Sequence, residues 1–261
     1  MDIYCESRSV SLAELRVDDD SGSQIHGEIR GPFCRYARTL PASYPIRNGR
    51  AKVIDPCYWT PSLPFRYELK LHVDRLDGGT VMHQLLWGLR WCVPHKADVW
   101  LNGKRYVLRA ISPASEDAGE VDLLQLRELA CSLMLKSPTN EICEEASDLG
   151  VMLFVTSDSS TADIRQWGKY PAVHFAFAKP NPKTDLVLCA AMTVEPSGGQ
   201  IQVLDETALT ALNSTDVCRP RFVHRIVEPS SLSDMRKSCD WLQRDVASMG
   251  QFAGYLISAN A

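Results

Sequence analysis

Residues 97–112 read ADVWLNGKRYVLRAIS, and the pattern of the chain changes there. Asn102-Gly103 between two apolar runs is a strong hairpin signal, because a tight two-residue turn needs positive φ at both central positions. Upstream, SVSLAELRV, SQIHGEIR and RYELKLHVD alternate apolar and polar residues, the period of half-buried strands. DDDSGS, RNGR and LDGG lie between them as turn signals, and prolines stand at 32, 41, 45, 56, 61 and 64. Short strands with a turn every ten or so residues predict a β-sandwich of roughly 100 residues.

Downstream of the hairpin, strand and helix patterns alternate. GEVDLLQLRELACSLM places Leu123, Leu126, Leu129 and Ala130 on one helical face. NEICEEASDLG reads as a short helix with Glu141 in its first turn and Gly150 placed to end it. VMLFVTS is apolar almost throughout, as in a parallel strand buried on both faces. TADIRQWGK reads as a helix; AVHFAFAK, DLVLCAAMT, QIQVLD, RFVHRIVE and FAGYLIS read as strands. SLSDMRKSCDWLQRDVASMG reads as a core-facing helix with Leu232, Met235, Cys239 and Leu242 on one side. Repeated strand–helix–strand order predicts a parallel sheet, either a (β/α)₈ barrel or an open doubly wound sheet. Roughly 160 residues are few for a barrel of the usual ~250, so a barrel here is reduced, and MTVEPSGGQIQ leaves no room for a helix. The domains are expected at residues 1–98 and 99–261.

Composition excludes several classes. The 261 residues carry a net charge of −4 with no long basic block, so nucleic acid is not an expected partner. The start, MDIYCESRSVSLAELRVDDD, lacks a leader's apolar centre, and no run is long enough to span a bilayer; a soluble, cytoplasmic protein without membrane association is expected. The nine cysteines form no C-x-x-C pair and have no histidine at ligand spacing, which fits buried reduced thiols rather than a zinc site or disulfide framework. VEPSGGQ lacks the lysine of a phosphate loop. No cofactor or metal is expected.

Four stretches together resemble glycoside hydrolase family 2. VIDPCYWTPSLPFRYELKLHV resembles the signature of that family's immunoglobulin-like sandwich, in which Trp59 and Tyr67 serve as core and corner. GLRWCVPHKADVWLNGKRYVLRAIS is similar to its junction into the catalytic barrel, and NEICEEASDLGVMLFV to the segment joining the second barrel helix to the third strand. WGKYPAVHFAFAKPN lines up with the stretch that ends strand four in Asn-Glu, the Glu being the family's acid/base. The four, in order, cover most of residues 50–181. The resemblance implies an immunoglobulin-like sandwich followed by a reduced (β/α)₈-type barrel, without the jelly-roll domain that normally comes first.

The departures decide the expected chemistry. Tyr170-Pro171 takes the family's His-Pro place, Pro180 the Asn place and Asn181 the acid/base place. The family's strand-two motif shrinks to LKSP, with Lys136 in the Arg place, and Arg109 survives from that part of the site. Arg109, Lys136 and Asn181 are therefore the expected ligand-binding group. Retaining glycosidases need two carboxyls about 5–5.5 Å apart, and an amide cannot cycle a proton. Glu195, Asp205, Glu206 and Glu228 end apolar strands, where barrels place chemistry. Glu228 is the nucleophile candidate, although Arg225 falls where the family spacing expects the acid. His174 and His224 lie inside strands and read as structural residues. The expectation is a non-catalytic module that binds carbohydrate or another protein; the alternatives are a weak glycosidase using Glu228 with Glu195 or Glu206, and a structural assembly unit.

Overall fold

The computed structural model describes residues 2–19, 23–114, 121–157, 167–178, 187–189, 202–206, 209 and 220–260. Its first part is two facing antiparallel sheets. Strands β1 (Asp2–Arg8), β2 (Leu12–Asp18) and β5 (Arg50–Ile54) form one sheet in the order β1-β2-β5. Strands β3 (Gln24–Phe33), β4 (Ala42–Ile46), β6 (Arg66–Asp74) and β7 (Thr80–Trp87) form the other in the order β4-β3-β6-β7. Alternation does what the sequence predicts: along β6, Tyr67, Leu69, Leu71 and Val73 are buried while their neighbours are not. Together with Leu15, Ile29 and Val53 they fill the space between the sheets. Tyr67 stands where the chain turns from one sheet to the other, and its hydroxyl accepts the Cys57 backbone N–H at 2.8 Å. A buried tyrosine keeps such a partner for its hydroxyl.

A small antiparallel sheet follows, ordered β10-β9-β8, from β8 (Cys92–His95), β9 (Asp98–Leu101) and β10 (Lys104–Tyr106). It spans both sides of residue 98. Asn102 and Gly103 carry φ of 52° and 75°, the double positive φ of the expected hairpin.

The third unit is an eight-stranded sheet built from β11 (Leu108–Ser112), β12 (Ser132–Lys136), β13 (Leu153–Ser157), β14 (Val173–Ala178), β15 (Val187–Cys189), β16 (Gln202–Asp205), β17 (Arg221–Val227) and β18 (Gly254–Ala259). Its order is β15-β14-β13-β12-β11-β18-β17-β16. Every pairing from β14 through to β16 is parallel, and the last strand lies beside the first. DLVLCAAMT does supply β15, but antiparallel to β14. A parallel crossover takes a dozen or more residues, and the chain between Ala178 and Val187 is shorter than that.

Among the described residues three helices accompany this sheet. Helix α1 (Leu123–Glu128) is shorter than its apolar pattern suggests. It ends at Leu129, Ala130 turns to φ 49°, and the following SLMLK forms β12. Helix α2 (Asn140–Leu149) follows its signals: Thr139 caps the N-terminus and Gly150 closes it at φ 80°. A Cβ at Gly150 would lie 2.3 Å from the Pro61 carbonyl oxygen, so glycine also admits the sandwich loop. Helix α3 (Leu232–Asp245) buries Met235, Cys239 and Leu242 against the sheet. The helix predicted over residues 161–169 lies mostly outside the described residues.

The large sheet curls. Phe154 on β13 and Phe222 on β17 are four strands apart in the order, a path of ~19 Å at ~4.8 Å per strand. Their ring centroids are 6.0 Å apart, and Phe175 on β14 contacts both, at 4.6 and 6.1 Å. The rings can meet only if the wall bends around them. Gly254, flanked by Leu108 and Phe222 at 2.8 Å from a notional Cβ, keeps that filling close-packed. Among the described residues no pairing joins β15 to β16, so these remain the two edges.

Candidate functional site

Residues paired in register share a face of a sheet, and successive residues alternate between faces. Arg109, Tyr255, Val223 and Arg225 therefore lie on one face; Ala110, Leu256, His224, Phe154 and Lys136 lie on the other. Helix α3 covers the first: the Cys239 thiol approaches the Ala110 and Tyr255 carbonyls at 3.8 and 3.9 Å. The second is the inner face holding the phenylalanines.

The inner face opens toward the C-terminal ends of its strands. On β12 it passes from buried Ser132 through half-buried Met134 to exposed Lys136. On β17 it passes from buried Phe222 through half-buried His224 to Ile226, which is 59% exposed. On β18 buried Leu256 gives way to half-buried Ser258, and on β13 buried Phe154 gives way to half-buried Thr156. Among the described residues the mouth thus holds Lys136, Thr156, His224, Ile226 and Ser258. His224 Nε2 and Ser258 Oγ are 2.9 Å apart. Thr156 Oγ1 donates to the Leu135 carbonyl at 3.3 Å.

The residues expected from the sequence divide accordingly. Lys136 is at the mouth. Arg109 is not: it lies on the helix-covered face, donating to Asp240 at 3.1 Å and to Gln243 at 2.8 Å. Strand parity, set by where α3 packs, turns it away from Lys136. Glu206 is bound by Arg225, whose Nε donates to it at 2.6 Å and whose Nη2 also reaches Asp245 at 2.7 Å. That pairing holds the Arg225 guanidinium above its ordinary pKa, the Glu206 hydrogen bond being the largest cause. Glu228 follows the end of β17 and is exposed. Glu206 is thus held by Arg225 on the helix-covered side, opposite in strand parity to His224. Asn181 and Glu195 lie outside the described residues; Asp205 pairs its backbone with His224. Among the described residues no group of three or more His, Cys, Asp or Glu is placed to hold a metal.

The opposite, N-terminal, end of the strands is closed by the sandwich. Arg90, 9% exposed, donates to the Tyr170 carbonyl at 3.0 Å and also to the carbonyls of Gly168 and Val173. Burial lowers its pKa to about 10, yet it remains a cation at neutral pH. Gly88 precedes it because a Cβ there would meet Pro171 at 2.5 Å. Trp59 belongs to the core of the large sheet rather than that of the sandwich. Its indole donates to the Ser147 carbonyl at 2.9 Å, its backbone N–H to Leu89 at 2.7 Å, and its ring lies 5.0 Å from that of His174. His174 is buried, and burial above all, then Arg90, lowers its pKa to about 3, so it is neutral. Its Nδ1 lies 3.2 Å from the Ala172 carbonyl oxygen. Arg66 pairs with Glu144 and Asp148, and Arg127 donates to the Pro61 and Leu149 carbonyls.

His224 and Ser258 were missed as a pair by sequence reasoning. They are 34 residues apart, and only the parallel β17–β18 register brings them together. Their one sequence signal is weak: each is a small polar or imidazole group within a largely apolar strand.

No protein-family model and no curated protein sequence matches the chain. Solved structures do. A β-glucuronidase from Ruminococcus gnavus in complex with D-glucaro-d-lactam aligns over 100% of this chain and 53% of its own, with TM-score 0.62 at 12% identity. The same enzyme with a C6-substituted uronic isofagomine gives TM-score 0.60 at 11% identity, over 98% and 53%. The β-glucuronidase of Parabacteroides merdae gives TM-score 0.53 at 13% identity, over 99% and 46%. The chain spans about half the length of these enzymes, and at such identity the likeness is one of fold: a β-sandwich joined to a parallel α/β sheet, in the arrangement that β-glucuronidases use.

Proposed function

We propose that the chain is a glycoside hydrolase family 2-related module that binds carbohydrate without cleaving it. In this reading the first part is an immunoglobulin-like sandwich and the second a reduced (β/α)₈-type barrel. The strand order β14 back to β11, then β18 to β16, supports it, as does the curl around three phenylalanines. The observation that carries the functional half is the fate of the acids. Glu206 is bound by Arg225 away from the inner face, and Glu228 is exposed beyond the end of β17. Glycoside cleavage needs an acid and a base across one bond. The mouth instead offers Lys136, Thr156, His224 and Ser258, groups able to hydrogen-bond hydroxyls. Its exposed strand ends are where barrels bind ligands.

The test is glycan-array binding run beside an assay with aryl glycosides. The expected result is binding weakened at least tenfold by Lys136→Gln or Thr156→Val, with no glycoside turnover. Turnover abolished by Glu228→Gln would overturn the non-cleaving reading. Absence of any glycan bound through the mouth would overturn the carbohydrate reading and leave a protein partner.

A further inference from the structure

We propose that Ser258 and His224 are a nucleophile and its general base, and that the mouth hydrolyses esters of short acyl groups. A nucleophilic serine needs a base within hydrogen-bond reach, and Ser258 Oγ stands 2.9 Å from His224 Nε2. Both side chains are half-buried, so neither is sealed in the core nor freely solvated. Their relative depth also fits. His224 is in register with Leu256, and Ser258 with Ile226, one step nearer the strand ends. The base therefore lies below and the nucleophile above, facing the opening. Ile226, beside Ser258 on the inner face and 59% exposed, gives a short acyl chain an apolar surface. Lys136 stands on the same face, two strands away on β12.

The reaction balances with ester and water alone. Ser258 Oγ attacks the acyl carbon while its proton passes to His224 Nε2. The tetrahedral intermediate expels the alkoxide, which takes that proton and leaves as the alcohol. Water, deprotonated by His224, then attacks the acyl-serine; the Oγ–carbon bond breaks, the carboxylic acid departs and Ser258 regains its proton. No oxidant, metal or cofactor enters.

The test uses the full chain. It is treated with a fluorophosphonate probe, the labelled residue is mapped by mass spectrometry, and p-nitrophenyl acetate hydrolysis is followed. The expected outcome is a label on Ser258 of the folded protein, absent in Ser258→Ala. His224→Gln should slow labelling at least ~100-fold, the usual contribution of a general base. Hydrolysis of p-nitrophenyl acetate should be lost in Ser258→Ala and slowed in His224→Gln in parallel with labelling. His72→Gln, on the sandwich, controls for histidine loss in general. A folded wild-type protein that is not labelled at Ser258, or is labelled equally fast in His224→Gln, overturns the proposal. Mapping the label in the wild type needs no variant, so a misfolded Ser258→Ala leaves the test intact. Lost glycan binding with labelling retained would sink the carbohydrate reading and not this one.

Discussion

The same parallel strands end in opposite environments. At their N-terminal ends Arg90, Trp59 and His174 are buried, and carbonyl groups of the loops and strands around them take up nearly every donor. At their C-terminal ends Lys136, Thr156, His224 and Ser258 face an opening rimmed by exposed Ile226. The difference teaches how to divide the polar residues of this chain. Buried polar groups committed to backbone acceptors hold the two parts together, because leaving them unpaired is expensive. Half-exposed groups gathered at the strand ends cost little to keep there and lie where a ligand can approach.

This contrast can be broken most severely at Arg90. Arg90→Met should strand the carbonyls of Gly168, Tyr170 and Val173 and lower unfolding free energy by at least ~3 kcal/mol, measured by urea denaturation. Acid should act next, through His174. Its folded pKa of about 3 lies below the ordinary 6.5, so only the unfolded chain takes up the proton as pH falls below 6.5. The sign is a loss of stability on acidification, amounting to ~2 kcal/mol between neutrality and pH 5. His174→Phe should flatten that part of the stability–pH curve. Trp59→Phe removes the bond to Ser147 and should cost ~1–2 kcal/mol. At the mouth, Lys136→Gln and Thr156→Val should move stability by less than ~0.5 kcal/mol, while weakening ligand binding. A mouth variant as destabilising as Arg90→Met would erase the distinction.

Much of the frame was legible because local chemistry enforces it. The alternation along β6, the positive φ of Asn102-Gly103 and the Thr139 and Gly150 caps of α2 are each decided within a few residues. What was hidden depends on packing between distant segments. Arg109 looked like a site residue until the position of α3 assigned it to the covered face. Trp59 looked like sandwich core, but its indole reaches Ser147, 88 residues on. The direction of β15 follows from the shortness of its connection, which the apolar run DLVLC cannot express. The two histidines looked alike in the sequence, each interrupting an apolar strand. Their fates differ because His174 lies near the sandwich end of its strand and His224 nearer the open end.

The meeting of Phe154, Phe175 and Phe222 has a consequence for how this architecture tolerates change. When rings from distant strands touch, the curvature of the sheet is fixed by the side chains it wraps as well as by its backbone pairing. A lineage could then trim or rewrite the staves on the far side while the remaining arc kept its radius, and the groups along its upper lip would stay in position.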